Sequence, residues 1–139
     1  MSLPFIDTDI IIRLLTGDDP IKQDKAARLF KQVEQGGVTL AAPDTVIADA
    51  VYVLSSRRLY NLPRQHIADL LVPLVRMPEF RVQNRRAVLA ALAVYGYGKT
   101  KLDFGDALII GAMQQSGSQV VYSFDADFDK IEHINRQEP

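Results

Sequence analysis

At 139 residues, with 47% hydrophobic and 24% charged side chains, the chain has the size and composition of one globular domain able to bury a single core. A net charge of −1 excludes nucleic-acid binding by overall positive charge and leaves that task to local clusters. The absence of cysteine excludes a disulfide scaffold, a thiolate metal site and a thiol nucleophile; with no signal-like start and no apolar run long enough to cross a bilayer, the expected location is the cytoplasm.

In chain order, "LPFIDTDIII" reads as a short buried strand over residues 3–6 running into a helix over 9–15, followed by Gly17. Asp18 or Asp19 then caps a second helix with Pro20 in its first turn. Ile21, Ala26, Leu29, Phe30 and Val33 keep helical spacing until Gly36-Gly37 stop it. "VTLAAP" is a second strand, followed by a helix over 44–58. A further helix starts at Pro63 and is expected to break or end near Pro73. "EFRVQN" is a third strand, residues 84–96 are helical up to the Gly96-Tyr97-Gly98 turn, and a helix over 103–116 closes at Gly117. "QVVYSF" is the fourth strand. Strands alternating with helices predict a single α/β domain over residues 1–139 with a mainly parallel sheet.

In such a sheet, ligands bind beyond the carboxyl ends of the strands. Asp7 follows the first apolar strand and Asp125 the last. The helix leading into the last strand opens with Asp103 and Asp106, three residues apart and on one face. That pair suits a capping-box-like start, and a capping carboxylate can also face a metal. Asp49 lies among Val46, Ile47, Ala50 and Val51, but it shares a helical face with Thr45, Tyr52 and Ser56 that solvent can wet. Carboxylates converging without basic partners raise one another's pKa until a cation neutralises them. Oxygen donors without cysteine, and with just two histidines, point to Mg2+ or Mn2+. Such ions serve phosphoryl chemistry in nucleases and phosphatases.

The stretches "FIDTDIIIRLL", "APDTVIADAVYVL", "LDFGDALIIGA" and "VVYSFDADF", in this order between Leu3 and Ile131, resemble the successive acidic motifs of PIN-domain ribonucleases. Within that family the likeness is to the VapC toxins of toxin–antitoxin pairs. The resemblance implies a three-layer α/β/α sandwich and a Mg2+- or Mn2+-dependent endoribonuclease that cuts single-stranded regions of RNA. It implies catalytic acids Asp7, Asp49, Asp106 and Asp125, with the ion on Asp7, Asp106, Asp125 and Asp103. A VapB-like antitoxin, folding on binding and inserting an arginine among the acids, is the implied partner. A homodimer through the helices of residues 44–58 and 63–75 is also expected, Leu70, Leu71, Val72, Leu74 and Val75 exceeding what one buried face needs. Three positions depart from the family pattern: Asp9 stands where Asn is usual, Asp49 where the longer Glu is usual, and Ser123 where Thr is usual.

Of the cations, Arg13 and the hydroxyl of Ser123 are the candidate substrate contacts. Arg57, Arg58, Arg64, Arg85, Arg86, Lys99 and Lys101 read either as a phosphate-neutralising groove or as solvated surface. Tyr95 and Tyr97 are expected in core and turn, and His66 and His133 in structural or exposed positions. Two other functions compete. "DTD" after a strand is similar to the opening of haloacid-dehalogenase-like phosphatases, but the Gly-Thr that normally follows and a lysine before the late acids are missing. A non-catalytic binding module with the same fold is the third reading.

Overall fold

The structure, a computed structural model, describes residues 2–139. Helix α1 spans Thr8–Leu15 and begins where the Asp7 carboxylate accepts the Ile10 N–H at 3.3 Å. Helix α2 spans Pro20–Glu34; Asp19 accepts the Lys22 N–H at 3.1 Å, and Pro20 occupies a first turn where its missing N–H costs nothing. Strand β1 (Leu40–Ala42), α3 (Asp44–Ser55), α4 (Arg64–Arg76), β2 (Phe80–Val82) and α5 (Arg85–Tyr97) follow. Then come α6 (Phe104–Ser116), β3 (Val120–Tyr122), a 3-10 turn over Ala126–Lys130, and β4 (Asn135–Gln137).

Every strand pairing is parallel, as the alternation of strands and helices predicts, but the ladder comes in two pieces. β1 pairs with β2, Leu40 opposite Phe80, and β3 pairs with β4, Val120 opposite Asn135. The strand expected over residues 3–6 contracts to one bridge, Phe5 to Ala41, held by Ile6 N–H to Ala41 O at 3.1 Å and Ala41 N–H to Pro4 O at 2.9 Å. Pro4 has no N–H to extend the ladder, and Asp7 already belongs to a helix cap. The polar "NRQ" of β4 carries no apolar alternation and was not expected as a strand.

Pro73 neither breaks nor ends its helix: α4 runs through it to Arg76. Pro73 and Asp69, whose carbonyl loses its intrahelical donor, are both exposed, which leaves that carbonyl's residue open to solvent. Most of the apolar run of this helix goes inward. Ile67, Leu71 and Val75 are fully buried beside Ile11, Ile47, Leu54, Phe80 and Leu92, while Leu70 and Val72 are half-buried. Phe30 of α2 meets Phe80 of β2 edge-on, ring centroids 5.4 Å apart.

Two features of this packing place the acids. Helices α5 and α6 lie close enough that a Cβ on Gly111 would stand 2.3 Å from Ala87 O, which sets the position of α6. A second, smaller core of Leu102, Ile110 and Phe128 then pins the 3-10 turn onto α6. Phe128 is 2% exposed although its neighbours are acidic.

Loop 16–18 has its own tie. Asp18 accepts from the Tyr60 hydroxyl at 2.5 Å and the Thr16 hydroxyl at 3.0 Å, and Arg13 lies beside it at 3.3 Å. The Tyr60 bond first, then the Thr16 bond, outweigh a small desolvation and hold the Asp18 carboxyl below its ordinary 3.8. A depressed folded-state pKa contributes stability above 3.8 that is lost as pH falls through the lowered value. Tyr60→Phe is therefore expected to melt below the wild type at neutral pH, with the gap closing in strong acid. Thermal melts at both pH values check this; a gap independent of pH would assign the loss to packing alone.

Candidate active site

The N-terminus of α6 gathers charge of one sign. Asp103 is its N-cap, with Oδ1 accepting the Asp106 N–H at 2.8 Å, as the three-residue spacing predicts. Asp106 sits one turn in and is half-buried. Its carboxyl is raised above the ordinary value, first by burial, then by the negative charges of Asp103 and Asp125. Asp125 arrives from beyond β3, where its Oδ1 accepts the Asp127 N–H at 2.9 Å and caps the 3-10 turn that Phe128 anchors. Three carboxylates from two separate segments thus act on one another.

Asp7 and Asp49 stand differently. Asp7 is an exposed cap on a segment that pairs with β1, whereas Asp125 follows β3, which pairs with β4. No hydrogen-bonded ladder joins those two edges. Among the described residues no three His, Asp or Glu side chains close to metal-holding distance. Asp49 is exposed along with Thr45 and Tyr52, so the helical face they share is the wet one.

The candidate substrate contacts are also placed. Arg13 is occupied: it lies 3.3 Å from Asp9 and 3.3 Å from Asp18. The Asp9 approach is an ion contact without hydrogen-bond alignment, since the buried Nε has no partner. Arg13 therefore ties α1 to the following loop rather than offering a free cation, and Asp9, the departure from Asn, is its counter-ion. Ser123 Oγ accepts the Asp125 N–H at 3.0 Å, so this hydroxyl shapes the acidic turn. Arg85 is spent on the Met77 carbonyl at 2.9 Å and its neighbours. Arg57, Arg58, Arg86, Lys99 and Lys101 are exposed. Tyr95 is core and His66 and His133 are exposed, as expected; Tyr97, expected in the turn, instead ends α5, exposed and hydrogen-bonded to Asp69. Phe128 was not singled out in the sequence; its one signal is an isolated aromatic in the acidic stretch "DADFDK".

A family model for the PIN domain matches residues 5–134. The chain belongs to the PIN-domain family. It is similar to a curated VapC ribonuclease of Aquifex aeolicus (strain VF5), 25% identical over 129 residues that cover 93% of this chain and 92% of that protein. The three-layer α/β/α expectation is the PIN fold, and its acidic segments all lie within the PIN match. The phosphatase alternative has no comparable support. No helix is long and apolar enough to cross a membrane among the described residues.

The donor chemistry of the PIN site fits a hard divalent cation. Its candidate ligands are oxygen only, the chain has no thiol, and Asp106 already responds to two like charges.

Proposed function

We propose that this PIN domain is a Mg2+- or Mn2+-dependent endoribonuclease acting on single-stranded regions of RNA, and the toxin of a VapBC-type pair. The observation that carries the reading is Asp106 held between the charges of Asp103 and Asp125 with no basic residue among the causes of its shift. Asp7, Asp103, Asp106 and Asp125 would hold the ion, and Asp49 would assist from the wet face of α3. A divalent ion, when bound, activates water and stabilises charge on a phosphoryl group. The chain's own work is placement: Asp103 fixes the first turn of α6, Ser123 shapes the Asp125 turn, and Phe128 locks that turn to α6.

The test is cleavage of a single-stranded RNA against the same sequence in duplex, with Mg2+ and then with chelator. The expected result is cutting of the single strand alone, lost on chelation and restored by added ion. Absence of cutting under all conditions would favour the binding-module reading.

The proposed inhibitor is a VapB-like antitoxin that orders on binding and sets an arginine fork against these carboxylates. Calorimetric titration of the ion into the free chain and into the complex tests this. Weaker binding in the complex is expected, and equal affinity would leave blockage of RNA entry as the mechanism. The homodimer is retained as a proposal with a different surface. Val120, Tyr122 and Phe124 alternate onto one face of β3 and its extension and are 46%, 67% and 76% exposed. Light scattering of Phe124→Ser beside the wild type tests it; a wild-type monomer at every concentration would remove it.

A further inference from the structure

Between α3, α4 and the start of α6 lies a cleft of about 520 Å3, lined by Tyr52, Ser55, Arg64, Tyr95, Asp103 and Gly105 among others. It opens beside the acid cluster, since Asp103 belongs to both. Arg64 is built into it. Its guanidinium carbon sits 4.4 Å from the centre of the Tyr95 ring, and Nη2 donates to Lys101 O at 3.1 Å. Those two contacts fix the plane of the fork, yet Nη1 is buried with no hydrogen-bond partner. A buried guanidinium nitrogen without an acceptor is a cost, and a fork held on the wall of a cleft suits an anionic oxygen entering it. Tyr52, on the same lining, is 75% exposed. No hydrogen bond engages its hydroxyl among those of the described residues.

We propose that this cleft holds one unpaired nucleotide next to the cleaved bond, its phosphate on the Arg64 guanidinium and its base stacked on Tyr52. The proposal rests on the ribonuclease reading and supplies what that reading lacks. A cluster of carboxylates repels an RNA backbone, and net charge does nothing to draw it in. A rigidly held arginine beside Asp103 offsets that repulsion at the point of entry, and an open aromatic ring takes any base because every base has a π-face. An acidic segment of a protein inhibitor is the competing occupant; it needs the arginine but not a ring of Tyr52's exposure.

The test is fluorescence anisotropy of a short labelled single-stranded RNA in chelator, so that binding is read without cleavage. Tyr52→Ala is expected to weaken binding about tenfold, within the range for loss of one stacked base, and Tyr52→Phe to bind as the wild type does. Arg64→Lys is expected to weaken binding several-fold while keeping the salt dependence, and Arg64→Gln to lower the slope of log K on log salt by about 0.7. Tyr52 is exposed, so its variants keep the fold even where those of Arg64 lose it through the Tyr95 stack. If the wild type binds RNA and Tyr52→Ala binds equally well, the cleft proposal alone is overturned. The same holds if the substitutions weaken an acidic inhibitor peptide but not RNA. If the wild type neither binds nor cuts RNA, the ribonuclease reading falls with it.

Discussion

Asp106→Asn is expected to abolish divalent-dependent RNA cleavage while making the metal-free protein more resistant to heat. Both effects have one cause. Asp106 is half-buried and feels the charges of Asp103 and Asp125, so its ionised form is disfavoured in the fold. A carboxyl whose folded-state value is raised lowers stability as pH climbs from its ordinary 3.8 through the raised value. Asparagine keeps the shape and removes that charge. The gain in melting temperature should be full at neutral pH and disappear below 3.8, where the wild-type carboxyl is protonated in both states. The loss of activity should exceed the roughly 10–100-fold typical of groups that only orient a ligand. Asp125→Asn should lose activity equally. Melting curves in chelator and cleavage assays in Mg2+ read the two effects separately. Full activity in both variants would end the metal-nuclease reading.

The largest structural effect is expected at Gly111. Its absent Cβ lets α6 approach α5 until Ala87 O and Ala91 N would stand 2.3 Å and 3.2 Å from any such atom, and both are backbone. Gly111→Val must push the helices apart, at about 1–3 kcal/mol for overpacking and toward the upper end because no side chain can yield. For a domain of this size that corresponds to a fall of about 10 °C in melting temperature. The same displacement moves the helix that carries Asp103 and Asp106 and disturbs the anchor of Phe128 on Ile110. Activity should therefore fall even below the new melting temperature. A Gly111→Val protein that melts and cuts like the wild type would show that α6 has room the structure does not give it.

Local chemistry was the part most legible in the sequence. Asp19 before Pro20, Asp103 three residues before Asp106, and Gly117 after α6 each do what their types and spacing indicate, Gly117 with φ at 77°. Pro73 misled because propensity carries no knowledge of which face of α4 meets water. The apolar run of α4 is ambiguous in the sequence, since excess hydrophobicity reads alike whether the core or a partner absorbs it; here Leu71, Leu74 and Val75 go to the core. The acids were legible one by one as residues that follow strands or open helices. Their grouping depends in addition on how the segments pack, and the expected meeting of Asp103, Asp106 and Asp125 is the part the charges on Asp106 reflect. Asp125 meets Asp106 through Phe128 and the 3-10 turn, while Asp7 follows a segment that pairs with β1. Likewise, the sequence offered Arg64 as one cation among several. Arg13, Arg64 and Arg85 each keep one buried nitrogen without a partner; what separates Arg64 is that it lines the cleft that Asp103 also lines, with its fork held by Tyr95 and Lys101 O.

Nuclease chemistry here requires that the acids at α6 and beyond β3 form a cation site. Calorimetric titration of Mn2+ into the wild type and into Asp125→Asn, both freed of metal, tests that most directly. A saturable isotherm for the wild type, weakened at least about tenfold in the variant, is the predicted result. Identical isotherms for the two proteins, or no binding heat from the wild type at any Mn2+ concentration, would contradict it.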